Sequence, residues 1–418
     1  MTTITTEPAH PRVLIIGAGI GGLALAQGLA KLNIPDYAVF DRDASYCARS
    51  QGYRLRIDAR GSGALRRLLP APTWELFKQA AAKTVLGFAS VNPLTGEINV
   101  GGPRPPPPKG NENPDDVFTY DRTTLRGVLL TGLKEGAVQF NKEFVRYQEL
   151  PTGRVQVDFA DGTSGICDIL VGADGVRSRV KQQRLPGDLY SRVDMGARCI
   201  YGKTPLTMEV VGALTPNATR CMAVFKDPRP VSLFLEPVRF PRDPHEVDAR
   251  LKSQKDYIYW VLGGTVDNLG LQSDAADAAF SRLSGQEAKD FAVALVRDWH
   301  PSVRSLIELA PADQLAALGM TSSRPELAPW TSSRVVLIGD SIHAMTPTGG
   351  SGANTALNSA AELAEAIGKT GDLMENIRVF EEKMRADAHE AILGSLAGGA
   401  KIFSLKPMAE CEVAKGGH

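Results

Sequence analysis

The residues best suited to chemistry lie near the C-terminal end, where an acid meets a glycine-rich loop. The apolar run Val335 to Ile338 closes on Gly339-Asp340, and the loop Pro347 to Asn354 leads into a segment rich in strong helix formers. A buried strand therefore delivers one carboxylate to the mouth of a glycine loop. Asp340 could accept hydrogen bonds from ribityl hydroxyls, and the amides at the helix N-terminus could face an electron-rich ring or an oxyanion.

A second group of such residues lies more than three hundred positions upstream. The apolar run Val13 to Ile16 is followed by Gly17-x-Gly19-x-x-Gly22 and a helical pattern, and a second predicted strand ends at Asp41. These glycines allow a tight turn and the close approach of a pyrophosphate, while an acid about 20 residues later can bind ribose hydroxyls. Because strand, turn, helix, strand and acid occur in this order, the segment predicts dinucleotide binding.

A third apolar run, Asp168 to Gly172, also leads to an acid and a glycine, Asp174-Gly175. Taken alone, this pair is equally typical of a plain turn. Taken with the other two groups, it predicts three strands that deliver Asp or Gly to one edge of a sheet, where open α/β sheets bind ligands.

The three motifs in this order resemble those of single-component flavin monooxygenases of the p-hydroxybenzoate hydroxylase type, from Val13 to about Leu363. The resemblance implies an α/β fold with a Rossmann-type FAD domain interleaved with an antiparallel-sheet substrate domain, followed by a C-terminal helix. It also implies bound FAD, NADPH or NADH as a transient co-substrate, and hydroxylation of an aromatic or secondary-metabolite molecule by O2 through a flavin hydroperoxide. A Baeyer-Villiger or epoxidising oxygenase would use the same residues, and a non-redox flavoprotein cyclase is the alternative from another class.

The resemblance implies a cofactor role for residues in each motif. The pyrophosphate turn comprises Gly17, Gly19, Ile20, Gly21 and Gly22, and Asp41, Arg42 and Arg49 would lie at the ribose, the adenine and the phosphates, respectively. Arg122 would lie on the flavin side, Asp174 would serve both FAD and the reduced nicotinamide, and Asp340 would bind the ribityl chain. The residues around the flavin ring would be Pro347, Gly350, Ser351, Gly352, Ala353 and Asn354. Two departures from the family pattern are Asn358, where an Asp is usual, and the pair Ser341-Ile342, where small residues are usual.

Substrate-pocket candidates lie on the alternating strands of the predicted substrate domain: Arg198, Tyr201, Met222, Phe234, Tyr259 and Trp260. By period two, some of them should face the flavin and the others the core of the sheet. As catalytic candidates we favour Tyr201 and Tyr259, because a phenol could bind or deprotonate a substrate hydroxyl. His343 could relay protons, although packing that fixes the loop is the simpler interpretation. The apolar character of the region favours a bulky aromatic or terpenoid-like substrate.

The predicted domains alternate along the chain. They are FAD-binding pieces at 1–83, 116–185 and 330–373, substrate-domain pieces at 84–115 and 186–329, and a C-terminal helix and tail at 374–418. The proline run at 105–108 is interpreted as an exposed connector, and the tail from Lys406 is expected to fray.

Composition limits the remaining functions. The chain has 418 residues, and its 47 basic and 47 acidic side chains give no net field that would favour nucleic acid. Five scattered cysteines without a CxxC pair indicate reduced thiols rather than a disulfide framework or a metal site. No apolar run approaches the ~18 residues that a membrane span needs. We therefore expect a cytoplasmic enzyme without metal, as a monomer or homodimer.

Overall fold

The computed structural model describes residues 10–48, 53–85, 87–100, 116–214 and 219–414. In chain order the strands are β1 (Val13–Ile16), β2 (Tyr37–Phe40), β3 (Arg54–Ile57), β4 (Phe88–Val91), β5 (Ile98–Val100), β6 (Phe118–Asp121), β7 (Val138–Gln139), β8 (Phe144–Glu149), β9 (Val155–Phe159), β10 (Ser164–Cys167), β11 (Ile169–Gly172), β12 (Val193–Pro205), β13 (Met222–Lys226), β14 (Val231–Val238), β15 (Tyr257–Thr265), β16 (Ala316–Ser322) and β17 (Val335–Leu337). The helices are α1 (Ile20–Lys31), α2 (Ala59–Leu68), α3 (Ala71–Gln79), α4 (Arg122–Leu130), α5 (Arg179–Arg184), α6 (Met208–Ala213), α7 (Pro244–Val247), α8 (Asp274–Phe280), α9 (Gly285–Leu295), α10 (Pro301–Glu308), α11 (Asp340–His343), α12 (Gly352–Gly368) and α13 (Leu373–Phe403).

A parallel five-stranded sheet, in the order β17-β11-β1-β2-β7, carries the three motifs. Every residue of β1, β11 and β17 is buried, as expected for a parallel sheet covered on both faces. The strands come from three separated stretches of the chain, yet their parallel pairing brings their carboxyl ends to one edge. The glycine turn, Asp174-Gly175 and Gly339-Asp340 follow β1, β11 and β17, respectively, at that edge.

A seven-stranded sheet, in the order β16-β12-β15-β14-β13-β4-β5, forms the second layer. All its pairs are antiparallel except β4 with β13, which are parallel. One face carries Leu233 and Trp260 and packs with α9 and α10 into a closed core. The opposite face carries Tyr201, Phe234 and Tyr259, which pack with the end of α13. The two-stranded pair β3-β6 lies between the layers, where β6 contacts β14.

The C-terminal segment runs along both layers. α13 packs on α12, beside the five-stranded sheet, and on β14 and β15 of the seven-stranded sheet. Its bounds agree with the predicted helix from Glu375 to about Phe403. The prediction that the tail frays is wrong for 406–414. The amide of Asp194 donates to the carbonyl of Glu412 at 2.9 Å and Ala414 donates to Arg192 at 2.8 Å, so the tail adds to the start of β12.

All strands of the five-stranded sheet lie within the predicted FAD-binding pieces, and all strands of the seven-stranded sheet lie within the predicted substrate-domain pieces. The domain boundaries themselves stay a prediction, and the proline run lies outside the described residues. No helix in the described part of the chain combines the length and the apolar composition that crossing a bilayer requires.

Candidate active site

The glycine turn after β1 leaves space where a ligand could approach the backbone. A Cβ on Gly17, whose φ is +110°, would lie 2.3 Å from the carbonyl oxygen of Ala173, and one on Gly22 would lie 2.0 Å from that of Gly17. These two glycines are required by the packing of turn, helix and β11. A Cβ on Gly19 would meet nothing within 4 Å, and no side chain caps α1. The free space therefore lies at Gly19, beside the start of α1 at Ile20 and Gly21.

Asp41 follows β2 and is held tightly in place. Its carboxylate accepts hydrogen bonds from the amides of Ala18 and Asp43, at 2.7 and 2.8 Å. The buried Arg126 of α4 lies 3.7 Å from the same carboxylate and donates to the carbonyl of Ala18 at 2.9 Å. The acid thus fixes the glycine turn, and the neighbouring Arg42 extends into solvent. Arg49 lies outside the described residues.

Asp174 caps the start of α5 rather than projecting freely from the sheet. Its carboxylate accepts from the hydroxyl of Ser178 and from the amides of Arg179 and Val180, at 2.5, 2.8 and 3.3 Å. Burial raises the pKa of this carboxyl, while these hydrogen bonds act in the opposite direction. The role in binding FAD and nicotinamide stays a prediction, because these contacts already account for both carboxylate oxygens.

Asp340 begins α11 and differs from the other two acids. Within the described ranges its carboxylate has no hydrogen-bond or ion-pair partner, and solvent reaches it. The surrounding protein raises its pKa, and the nearby Arg122 and Arg192 counteract that shift. Arg122 starts α4, and its guanidinium lies 5.4 Å from the centre of the Tyr53 ring. An exposed acid near two arginines at the sheet edge, without a hydrogen-bond partner among the described residues, is suited to bind a hydroxylated ligand.

The glycine loop is held by α13 on one side and is exposed on the other. Thr346 and Thr348 bond to Ser395 of α13, at 2.6 and 2.8 Å, which holds the loop on that helix. Pro347 and Gly350 of the loop are exposed, and the side chain of Ser351, the N-cap residue of α12, makes no capping hydrogen bond. The amides of the loop and first turn, including Ser351, Gly352 and Ala353, can therefore meet a ligand.

Asn354 holds two elements together. Its side chain donates to the carbonyls of Arg56 and Gly350, at 2.9 and 3.0 Å, and accepts from the amide of Asp58 at 3.1 Å. The side chain of Asn354 is therefore used to join the glycine loop to β3. A direct bond from this side chain to the flavin stays a prediction.

The two departures from the family pattern also have structural partners. Ser341 donates to the carbonyl of Gly172 at 2.8 Å, which ties α11 to β11. Asn358 accepts from Arg67 at 2.9 Å and donates to Asp387 at 3.0 Å, so it joins α12 to α2 and α13. Both residues support the scaffold of the site.

His343 lies in the core rather than at the exposed edge of the sheet. Its side chain is fully buried, and Nε2 lies 3.1 Å from the hydroxyl of Ser359 on α12. Burial lowers its pKa to about 4, so the ring is neutral at pH 7. This environment favours the interpretation that His343 packs beneath the loop rather than relaying protons.

A consequence for stability follows from this neutral histidine. Its pKa is lower in the folded than in the unfolded protein, so the unfolded state binds more protons as the pH falls from about 6.5 towards 4. Acidification from pH 7 to 5 should therefore cost the native protein about 2 kcal/mol at this group. His343→Gln should lose less stability over the same interval in urea unfolding. Equal losses in both proteins would contradict this assignment.

The predicted pocket residues divide between the two faces of the seven-stranded sheet. Tyr201, Phe234 and Tyr259 share the face toward α13, and the Tyr201 ring lies 6.4 Å from that of Tyr53. Trp260 lies on the other face, where its indole donates to Thr204 at 2.9 Å, so it is excluded from the pocket.

Two further pocket candidates also have defined places. Arg198 is buried and bonds Asp194 and Asp277, at 2.7 and 2.5 Å, and is likewise excluded. Met222 begins β13, and the alternation of that strand puts it on the same face as Val224, which pairs with Phe234.

Sequence reasoning missed an ion cluster between the two layers. Arg54 and Arg56 on β3 both pair with Glu236 on β14. A signal was present: two arginines two positions apart share one side of a strand, and Glu236 interrupts an otherwise apolar strand. Neither segment alone indicates that the two would meet.

Comparison with known proteins decides the family. The family described as FAD binding domain matches residues 279–371, which include Asp340 and the glycine loop. A structure described as an FAD-containing monooxygenase from Photorhabdus luminescens is 31% identical, with a TM-score of 0.78, over 94% of this chain and 98% of that one. Salicylate hydroxylase of Pseudomonas putida is 27% identical over 90% of this chain and 82% of its own length. The chain belongs to the single-component FAD-dependent aromatic hydroxylases.

Membership of this family confirms three predictions: the p-hydroxybenzoate hydroxylase-like fold, the FAD cofactor and the assignment to the oxidoreductases. The dual O-methyltransferase/FAD-dependent monooxygenase elcB of Phaeosphaeria nodorum is 35% identical over 99% of this chain, but the chain spans only 48% of its length. The residues present fit FAD, since the open space at Gly19, the unpaired Asp340 and the uncapped α12 lie at one edge of the sheet.

Proposed function

We propose that this protein is an NAD(P)H-dependent monooxygenase that hydroxylates a small aromatic molecule with O2. The observation that carries the proposal is the link between two surfaces. The Tyr201, Phe234 and Tyr259 face of the seven-stranded sheet is linked to the glycine edge through β3, which contacts α12. The ring of Tyr53, next to β3, lies 6.4 Å from the Tyr201 ring and 5.4 Å from the guanidinium of Arg122. An aromatic substrate between these surfaces would lie against the cofactor site.

The chain's own residues would bind and orient the reactants. FAD, when bound, would accept a hydride from NAD(P)H and activate O2 for transfer of one oxygen atom to the substrate. Gly19 and the start of α1 would hold the pyrophosphate, and Asp340 would hold the ribityl hydroxyls. The loop amides and Arg122 would lie near the flavin ring. The aromatic face would exclude water from the reacting atoms, which strengthens electrostatic interactions there.

Tyr259 is a better hydrogen-bond donor than base. Burial raises its pKa far above the ordinary value of a phenol, so the hydroxyl stays protonated at physiological pH. It could therefore donate to a substrate oxygen but would not remove a proton from it. Tyr201, which lies on the same face of the sheet and is partly exposed, could also donate to a substrate oxygen.

Substrate and setting are also proposals. The name of the Pseudomonas putida relative gives an aromatic acid as its substrate, and the tyrosine- and phenylalanine-lined face here favours an aromatic ring. All five cysteines are free thiols, which supports a cytoplasmic location.

Turnover under labelled oxygen tests the proposal. The FAD-loaded protein would be given NADPH or NADH, 18O2 and a panel of phenols and aromatic acids, and the products would be analysed by mass spectrometry. A hydroxylated product that carries one labelled oxygen atom supports hydroxylation. A labelled ester or epoxide would instead support the Baeyer-Villiger or epoxidising alternative. Conversion without consumption of O2 or NAD(P)H would contradict a monooxygenase and support a cyclase.

A further inference from the structure

The ion cluster between the two layers consists of Arg54, Arg56 and Glu236. The guanidinium of Arg56 lies 2.6 Å from one carboxylate oxygen of Glu236, and that of Arg54 pairs with the other oxygen. The side chains of Arg54 and Glu236 are only 9% and 4% exposed, whereas that of Arg56 is 18% exposed. The cluster is therefore buried, and its open end is at Arg56.

The charges in this cluster do not balance. One carboxylate faces two guanidinium groups, which leaves one net positive charge. The nearby Asp121 is already used, because it accepts from Lys203 at 2.6 Å and from Tyr257 at 3.0 Å. Among the described residues, the buried Nε atoms of Arg54 and Arg56 have no hydrogen-bond partner. A buried charge without a counter-charge is costly, so the cluster is suited to an anionic ligand.

The position of the cluster connects it to both the cofactor site and the aromatic face. The carbonyl of Arg56 accepts from Asn354, which also holds the glycine loop. The guanidinium of Arg54 lies 5.6 Å from the centre of the Phe234 ring. Positive charge, hydrogen-bond donors and an aromatic wall thus converge beside the expected place of the flavin.

We propose that Arg56, supported by the charge of Arg54, binds the ionised carboxylate of an aromatic substrate. This inference rests on the proposed function, because it concerns the substrate of the same site. A guanidinium suits such a group, since its planar donors can bond two oxygen atoms at once. Glu236 would bridge the two guanidinium groups and reduce their mutual repulsion, while the cluster keeps one net positive charge.

Matched acid and amide probes test the inference. The FAD-loaded protein would be titrated with 3-hydroxy-2-naphthoate and its amide, and with salicylate and salicylamide, while changes in flavin absorbance are followed. We expect the wild-type protein to bind the acid of at least one pair about 10-fold or more tightly than its amide, as a hydrogen bond to a charged group would give. Arg56→Gln should remove this preference and leave the affinity for the amide and for FAD within about threefold.

Two further variants separate a binding role from a structural one. Arg56→Lys keeps the charge and should retain part of the preference for the acid. Glu236→Gln removes the competing carboxylate, so it should increase the preference for the acid rather than decrease it. If the cluster only held the layers together, Arg56→Gln and Glu236→Gln would not change the preference for the acid in opposite directions.

The outcomes that overturn the inference differ from those that overturn the proposed function. Equal binding of acid and amide to the wild-type protein, no binding of either pair, or equal weakening of both probes in Arg56→Gln would overturn it. Selective binding of the acid without turnover of NAD(P)H would leave the anion site in place and remove the monooxygenase function instead.

Discussion

Gly19→Val should abolish FAD binding without unfolding the protein. Its backbone has φ −72° and ψ −176°, a conformation that valine readily adopts, and a Cβ there would meet no protein atom within 4 Å. The added side chain would instead fill the space through which a pyrophosphate approaches the amides of α1. We expect FAD affinity to fall by at least about 100-fold, which corresponds to ~2.7 kcal/mol. Titration of the apoprotein, with quenching of flavin fluorescence as the signal, measures this change.

The matched control is Gly63→Val in α2, where a Cβ also meets nothing within 4 Å. This variant should bind FAD as the wild-type protein does, since Gly63 is exposed and lies outside the three cofactor motifs. Gly17 and Gly22 would not serve as tests, because a Cβ at either would collide with the backbone and disturb the fold. Normal FAD affinity in Gly19→Val would show that the cofactor pyrophosphate does not lie at this turn.

Asp340→Ala should have the next largest effect on cofactor binding. The carboxylate has no hydrogen-bond partner among the described residues, so its bonding capacity is available to a ligand. Loss of charged hydrogen bonds to ribityl hydroxyls should weaken FAD binding by about 10- to 100-fold. Asp340→Asn, which keeps an acceptor oxygen, should fall between the wild-type protein and Asp340→Ala. The same fluorescence titration measures the three affinities.

The stability of the apoprotein makes this test specific. Because Asp340 supports no other described residue by a hydrogen bond, its replacement should change the free energy of unfolding by less than about 1 kcal/mol. Asp298→Asn, at a largely exposed acid on the far layer, is a suitable control and should leave FAD affinity unchanged. A large loss of stability with unaltered FAD affinity in Asp340→Ala would indicate a structural acid.

The sequence predicts for a physical reason that the three motifs lie at one edge of a sheet, whereas the contacts of their residues with FAD stay predictions. Each motif is local, because its strand, turn and acid lie within a few residues of one another. The residue types alone therefore predict the local backbone geometry. Parallel pairing then brings the ends of β1, β11 and β17 together, as the general rule for open α/β sheets requires. The positions of Gly19 and Asp340 at one edge follow from these two facts.

The rest of the site depends on contacts between distant segments. Arg56 meets Glu236 across 180 positions, and Asn354 joins β3 across 298. Alternation in β15 predicts that Tyr259 and Trp260 face opposite ways, but it does not say which of them faces the flavin. Likewise, composition suggests a frayed tail, whereas pairing of Val413 with Val193 of β12 orders it.

Anaerobic reduction of the bound flavin tests the central claim most directly. The FAD-loaded protein would be mixed with NADPH or NADH, with and without the panel of aromatic compounds, and the loss of flavin absorbance followed in time. We expect bleaching by a nicotinamide, accelerated many-fold by at least one aromatic compound. A yellow protein that no nicotinamide bleaches, with or without these compounds, would contradict the proposed monooxygenase function.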